Sequence, residues 1–314
     1  MKPITIIKNR SDIGAGTRGS DLGVDAIEIA AINQQNPFFN EHPHIDVPTH
    51  NETIYNKNFL KTEHRIGFVL EQCQRVCDAV STVLRDDKFP LILSGDHSSA
   101  FGSLAGIQHA QPSKTLGVIW IDAHADLHSP MSSPSGNVHG MPLAAALGFN
   151  NEALAVNEVN EKTHQLWDEL KKVGGDQAKV ASEHLIFFGV RDTEEPEDKV
   201  MEQNNFKNYP VHEIRHRGLS LCVAEALQKL SAVDSIYISF DVDSLDCDLI
   251  SKGTGTPVSK GFDIDEVVAI IQQIIASQKV IGLEVTEVNP LLDNKGNRMA
   301  EAAFEVIQRL FQKK

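Results

Sequence analysis

Apolar residues recur at three- and four-residue spacing between Arg65 and Leu84: Ile66, Val69, Leu70, Cys73, Val76, Cys77, Val80, Val83 and Leu84. Residues so spaced share one helix face, so the pattern predicts an amphipathic helix covering a core. Elsewhere the pattern changes. Short aliphatic and β-branched runs at 4–7, 91–93, 116–121, 185–190, 236–241 and 280–285 read as strands. Pro90 opens the run that ends in Gly95-Asp-His97. Helix-prone stretches follow at 24–32, 98–110, 263–277 and 300–310. A short strand is expected near His44–Val47, inside an Asn-, Pro- and His-rich stretch, 33–60, that reads as surface loops. Residues 150–183 are charged and helix-prone, with Leu166, Trp167 and Leu170 as a buried stripe, and 171–176 reads as a turn. Repetition of strand, polar turn and helix implies right-handed βαβ units. The fold class expected is α/β, in three α-β-α layers around a mostly parallel central sheet.

Charge narrows the range of partners. Twenty-nine basic and 43 acidic residues leave a net charge of −14, and the pI is near 5.3. An acidic surface repels phosphate backbones, which argues against a nucleic-acid partner and mildly favours cationic substrates. No apolar run approaches the eighteen or so residues of a membrane span, and the first ten residues hold no signal core. The four cysteines, Cys73, Cys77, Cys222 and Cys247, show no framework spacing, which fits a reducing compartment. The expected location is the cytoplasm, where the Asn51-Glu-Thr53 sequon has no meaning. Cys73 and Cys77, one turn apart on the apolar stripe, read as core.

The candidate chemistry stands at strand ends. After the run 116–121 come Asp122, His124 and Asp126 at alternate positions, and alternate side chains leave a strand on one side. The run 236–241 ends in Asp241, with Asp243 two residues on, and the run 91–93 leads to His97. Aspartate is poorly suited to strands, so acids and imidazoles gathered there need a compensating cation. Oxygen and imidazole donors without nearby thiols suit a harder divalent metal, not a structural zinc knot. Because these ligands come from both halves of the chain, one sheet must gather them, and 1–314 reads as a single domain. His42 and His44, in a polar loop, read as solvated side chains, as do Lys252 and Lys260. The glycines of 14–23 supply turns; no G-x-x-x-x-G-K-[ST] phosphate loop occurs.

These residues resemble the ureohydrolases, and among them the arginases most closely. The resemblance rests on SGDHS (94–98), DAHADLHSPMSSPSGNVHG (122–140), SFDVDSLD (239–246), GTGTP (253–257) and GLEVTEVNP (282–290). It extends from GAGTRGSDLGVDAI (14–27) to EVNPLLDNKGNRMAEAAFEVI (287–307), which is nearly the whole chain. It implies two Mn2+ per subunit. One would be held by His97, Asp122, Asp126 and Asp241, the other by His124, Asp122, Asp241 and Asp243, with Asp122 and Asp241 bridging. A hydroxide shared by the ions would attack the guanidinium of L-arginine, giving L-ornithine and urea. His139 matches the proton shuttle, Glu287 the carboxylate that holds the guanidinium, and Thr256 a pocket residue; Asp126 counts among the reacting groups as well as the ligands. Asp96, Asp246 and Asn289 would orient ligands or turns.

The same resemblance assigns Ser135 and Asn137 to the substrate α-carboxylate and Glu194 to its α-amino group. Three departures touch specificity. His128 stands where arginases commonly have Asn, Glu194 where they have Asp, and Ser132-Ser-Pro134 in place of a threonine-rich run. Agmatinase, guanidinobutyrase and formimidoylglutamase share the chemistry and are the alternatives, followed by a silent arginine- or metal-binding protein. A homo-oligomer, trimer or hexamer, is expected from the resemblance.

Overall fold

The computed structural model describes residues 2–56 and 61–311. Of the stretch expected to form surface loops, 57–60 lies outside the described residues. The strands are β1 (Ile4–Asn9), β2 (His44–Asp46), β3 (Phe89–Ser94), β4 (Leu116–Ile121), β5 (Leu185–Phe188), β6 (Lys207–Tyr209), β7 (Ser235–Asp241) and β8 (Val280–Thr286). They form one sheet in the order β2-β1-β3-β8-β7-β4-β5-β6, and every neighbouring pair is parallel. The expected "mostly parallel" sheet is parallel throughout.

The helices are α1 (Gly23–Asn33), α2 (Phe38–Glu41), α3 (Thr62–Arg85), α4 (Ala100–Ala110), α5 (Pro142–Leu147), α6 (Glu161–Lys171), α7 (Glu195–Gln203), α8 (Val211–Arg217), α9 (Leu219–Lys229), α10 (Ile264–Ile275) and α11 (Arg298–Phe311). Strand side chains alternate between two cores. Ile6, Leu91, Ile119, Ile121, Ile238 and Phe240 meet α1, α9, α10 and α11 on one face. Ile7, Ile92, Val118, Trp120 and Tyr237 meet α3, α4, α5 and α6 on the other. Strands buried on both faces read as continuous apolar runs, which is why the sequence pattern found them.

Local chemistry fixes the covering helices. The stripe predicted on α3 is buried, Cys73 and Cys77 included, apart from half-buried Leu70. Gly102 and Gly106 of α4 let the two helices meet closely: a Cβ at either would stand 2.7 Å from the carbonyl oxygen of Cys73 or Cys77. Asp263 caps α10 by accepting from Glu266 N at 2.7 Å, and Glu266 returns the contact to Asp263 N at 2.9 Å. Trp167 and Leu170 of α6 are buried and Leu166 is half-buried. The run expected over 185–190 stops at Phe188, because Gly189 turns the chain at φ 94°. His44 is exposed beside Asp46, whereas His42 packs edge-on against Phe38, so only His44 is solvated as expected. Lys252 and Lys260 are exposed. Among the described residues, no helix is long and apolar enough to cross a membrane.

Candidate metal centre

Four neighbouring central strands, β3-β8-β7-β4, end around one crevice. His97 follows β3, Glu287 follows β8, Asp241 ends β7 with Asp243 just beyond, and Asp122, His124 and Asp126 follow β4. Chain order reverses across these strands, so their following helices diverge and leave room at the carboxyl ends. Asp126 (φ 53°) and Glu287 (φ 67°) both hold left-handed backbone, a strained choice for non-glycine residues that clusters at functional sites. Glu287 N is anchored on Gly95 O at 2.8 Å.

The imidazoles and carboxylates converge. His97 Nδ1 lies 3.1 Å from Asp122 Oδ2, 3.0 Å from Asp126 Oδ2 and 3.1 Å from Asp241 Oδ2. His124 Nδ1 lies 3.0 Å from Asp243 Oδ2 and 3.5 Å from Asp122 Oδ1. Two groups of candidate metal donors result, His97-Asp122-Asp126 and Asp122-His124-Asp243, with Asp122 in both. Backbone amides fix the acids: Asp122 Oδ1 accepts from His124 N (2.7 Å), Asp241 Oδ1 from Asp243 N (2.8 Å) and Asp243 Oδ1 from Ala123 N (3.1 Å). Trp120 Nε1 donates to Asp122 Oδ2 at 2.9 Å, and its indole stacks on the His97 ring 4.2 Å away. His97 Nε2 is 2.7 Å from Ser239 Oγ, which orients the ring so that Nδ1 faces the acids.

A cation fits this arrangement. His97 Nδ1 and Asp126 Oδ2 are buried and make no hydrogen bond, although each has a charged partner within 3.1 Å. Donor atoms that crowd together without pointing at one another share a centre between them. Four buried carboxylates in one place are costly without positive charge. Burial, and then the Asp122 charge, pushes Asp126 up to about 7. Burial followed by the charges of Asp243 and Asp122 holds Asp241 well above the usual carboxylate range. Asp122 goes the other way: burial would raise it, but the His124 and His97 contacts outweigh burial and keep it ionised.

Above the acids opens a cavity of about 320 Å3. It is lined by His97, His124, Asp126, Asp241, Asp243, His139, Glu287, Thr256, Ser135, Asn137, His128 and Glu194, which are all the residues anticipated to meet metal or substrate except Asp122. Asp122 is fully buried beneath the floor. His139 Nδ1 stands 3.0 Å from Glu287 Oε1, which also accepts from His97 N at 2.8 Å. No hydrogen bond among the described residues uses Glu287 Oε2. Burial would lower His139, but the Glu287 charge wins and lifts it to about 9, so it is protonated at neutral pH. Thr256 Oγ1 donates to Asp243 Oδ2 at 2.9 Å, which ties this pocket residue to a candidate ligand.

Several neighbours escaped the sequence reading. Glu197, buried at the start of α7, joins Glu194 around His128. Buried Arg65 donates from Nη1 to Asn137 Oδ1. Arg191 spans the carbonyls of Asp243 (3.0 Å) and Val258 (2.9 Å), bracing the loops on that side. Only spacing on a helix could have flagged Glu197, and a charged helix start gives no signal of burial. Asp96 does orient loops, accepting from Gly14 N (2.9 Å) and Ser98 N (2.8 Å), while Gly14 O takes Val138 N and so braces the His139 loop. Asp246 and Asn289 accept from Asp248 N and Leu291 N, and serve turns.

A wholly parallel sheet with paired His/Asp groups at its central strand ends, under a pocket carrying a carboxylate and an imidazole, is the arrangement that the resemblance to the ureohydrolases implies. Known proteins agree. The model of the Arginase family matches residues 2–312. The arginase of Bacillus subtilis (strain 168) is 35% identical over 315 residues, covering 100% of this chain and 99% of the relative. That of Bacillus caldovelox is 34% identical, with 100% and 99% covered. The crystal structure of Bacillus caldovelox arginase superposes with a TM-score of 0.85 at 33% identity, covering 100% of this chain and 99% of that one. The chain belongs to the arginase family, and it is a hydrolase of C–N bonds in linear amidines.

Proposed function

We propose that this hydrolase is a binuclear manganese arginase, splitting L-arginine into L-ornithine and urea. The observation that carries the reading is the pair of donor groups sharing Asp122, directly beneath the Glu287–His139 pair. One ion is assigned to His97, Asp122, Asp126 and Asp241, the second to His124, Asp122, Asp241 and Asp243. When bound, two such ions supply an acidified water at neutral pH and positive charge beside the scissile carbon.

The chain's own groups do the rest. Glu287 Oε2 accepts hydrogen bonds from the guanidinium and fixes its plane. His139, kept protonated by Glu287, donates its proton to the substrate Nε as the Cζ–Nε bond breaks; Nε leaves as the δ-amine of ornithine, and Cζ, which has taken the oxygen of water, leaves in urea. Asn137 has its carboxamide oxygen occupied by Arg65, which leaves its amide NH2 as the donor assigned to the α-carboxylate. Ser135 shares that task. Glu194, at the other wall, takes the α-amino group, with His128 beside it. The enzyme is assigned to the cytoplasm and to a homo-oligomer, trimer or hexamer.

The test is release of urea and ornithine from L-arginine by purified protein, before and after chelation. Turnover should vanish with chelator and return with Mn2+. Urea release that persists in metal-stripped protein would reject the reading.

A further inference from the structure

Away from the acids of the central strands, the pocket wall holds another meeting of an imidazole with carboxylates. His128 Nε2 lies 2.7 Å from Glu194 Oε2 and 3.4 Å from Glu197 Oε2, and the three atoms fall within 4.8 Å of one another. His128 is only 7% exposed, yet Nε2 makes no hydrogen bond. A ring nitrogen that stands so near two carboxylates without directing its N–H at either repeats the condition of His97 Nδ1. Glu197 is locked in place, with Oε1 on Leu127 N (3.1 Å) and Oε2 on Glu194 N (3.3 Å). Donors about 2.0–2.2 Å from a tetrahedral ion are roughly 3.4 Å apart, which the His128–Glu197 separation already matches and the His128–Glu194 separation reaches by an outward shift of under about 1 Å in the half-exposed Glu194 side chain.

We propose that His128, Glu194 and Glu197 form a third divalent-cation site, suited to Zn2+, on the wall of the pocket. One imidazole and two carboxylates, with the remaining side open to the cavity, match a three-ligand zinc site that keeps a fourth position for water. The position assigned to the substrate's amino group then has a second claimant. Zn2+ bound there competes with L-arginine, and this clause alone rests on the arginine reading; the site itself does not.

The test loads the full-length protein with Mn2+ and titrates it with Zn2+, counting bound ions by equilibrium dialysis for wild type, His128→Asn and Glu194→Gln. Glu194 is half exposed, so its variant keeps the fold even if the His128 change does not. Each variant should bind one Zn2+ fewer than wild type, or bind it with a loss greater than the roughly 10–100-fold that follows removal of a merely orienting partner. Mn2+ content should not change. Equal Zn2+ binding by wild type and Glu194→Gln would overturn the site. In kinetics, Zn2+ should raise KM for L-arginine with kcat unchanged, and Glu194→Gln should blunt that rise. Zn2+ that lowers kcat equally in both proteins would overturn the competition. If L-arginine is not a substrate, the ion count still decides the site.

Discussion

Two groups of histidine and acids share one pocket, and they are built differently. The inner group stands on the ends of β3, β4 and β7, its Asp122, Asp241 and Asp243 carboxylates tied by backbone amides and its His97 ring clamped between Trp120 and Ser239. The outer group, His128 with Glu194 and Glu197, hangs on a loop and the first turn of α7, and Glu194 is half exposed. Rigid strand ends can hold donors to the tolerance a reaction needs, whereas a loop and a helix start can yield. The inner group therefore suits chemistry that needs fixed donors, and the outer one can adjust to what it binds.

This contrast makes graded predictions. The largest effect belongs to the acid shared by both donor groups: Asp122→Ala, and likewise Asp241→Ala, should leave less than about 1% of turnover and lower bound manganese, read by urea assay and metal analysis. Wild-type turnover in either would break the shared-carboxylate assignment. Next, His139→Asn should cost about 10²–10⁴-fold in kcat while manganese content stays whole. Ser239→Ala, which removes only the brace on His97 Nε2, should weaken manganese binding by about 10–100-fold, measured by competition with a chelating dye.

The smallest effect is one of pH. His139 is raised from 6.5 to about 9 by Glu287, so its contribution to stability is complete below about pH 6.5 and is lost as pH rises through about 9. The thermal midpoint of wild type should exceed that of His139→Asn at pH 6, and the gap should close by pH 10. A gap that widened with pH would contradict the pairing.

Much of this was legible because the inner group follows directly on apolar strands, although of its ligands only Asp241 lies within one and the strict alternation expected over 122–126 gives way to a bend with Asp126 in left-handed backbone. A carboxylate or imidazole every second residue after an apolar run can be read directly from 116–126 and 236–243. Strands buried on both faces were equally plain. The stretch between β5 and β7 was not: β6 is a polar three-residue edge strand, KNY, and α7 begins with the charged run Glu195-Pro-Glu-Asp198, which carries no apolar stripe to mark its buried side. Glu197 is hidden for that reason. The outer group unites residues about seventy positions apart through packing alone. His42 shows the same limit at smaller scale, since its contact with Phe38 depends on how a short loop folds back.

The account turns on which guanidino compound the pocket accepts. The decisive measurement is urea release by the manganese-loaded protein with L-arginine, agmatine, guanidinobutyrate and homoarginine side by side. L-arginine should give the highest kcat/KM, with agmatine, which lacks the carboxylate, well below it. Preference for agmatine or guanidinobutyrate would contradict the assignment of Ser135, Asn137 and Glu194, while leaving the metal chemistry beneath them in place.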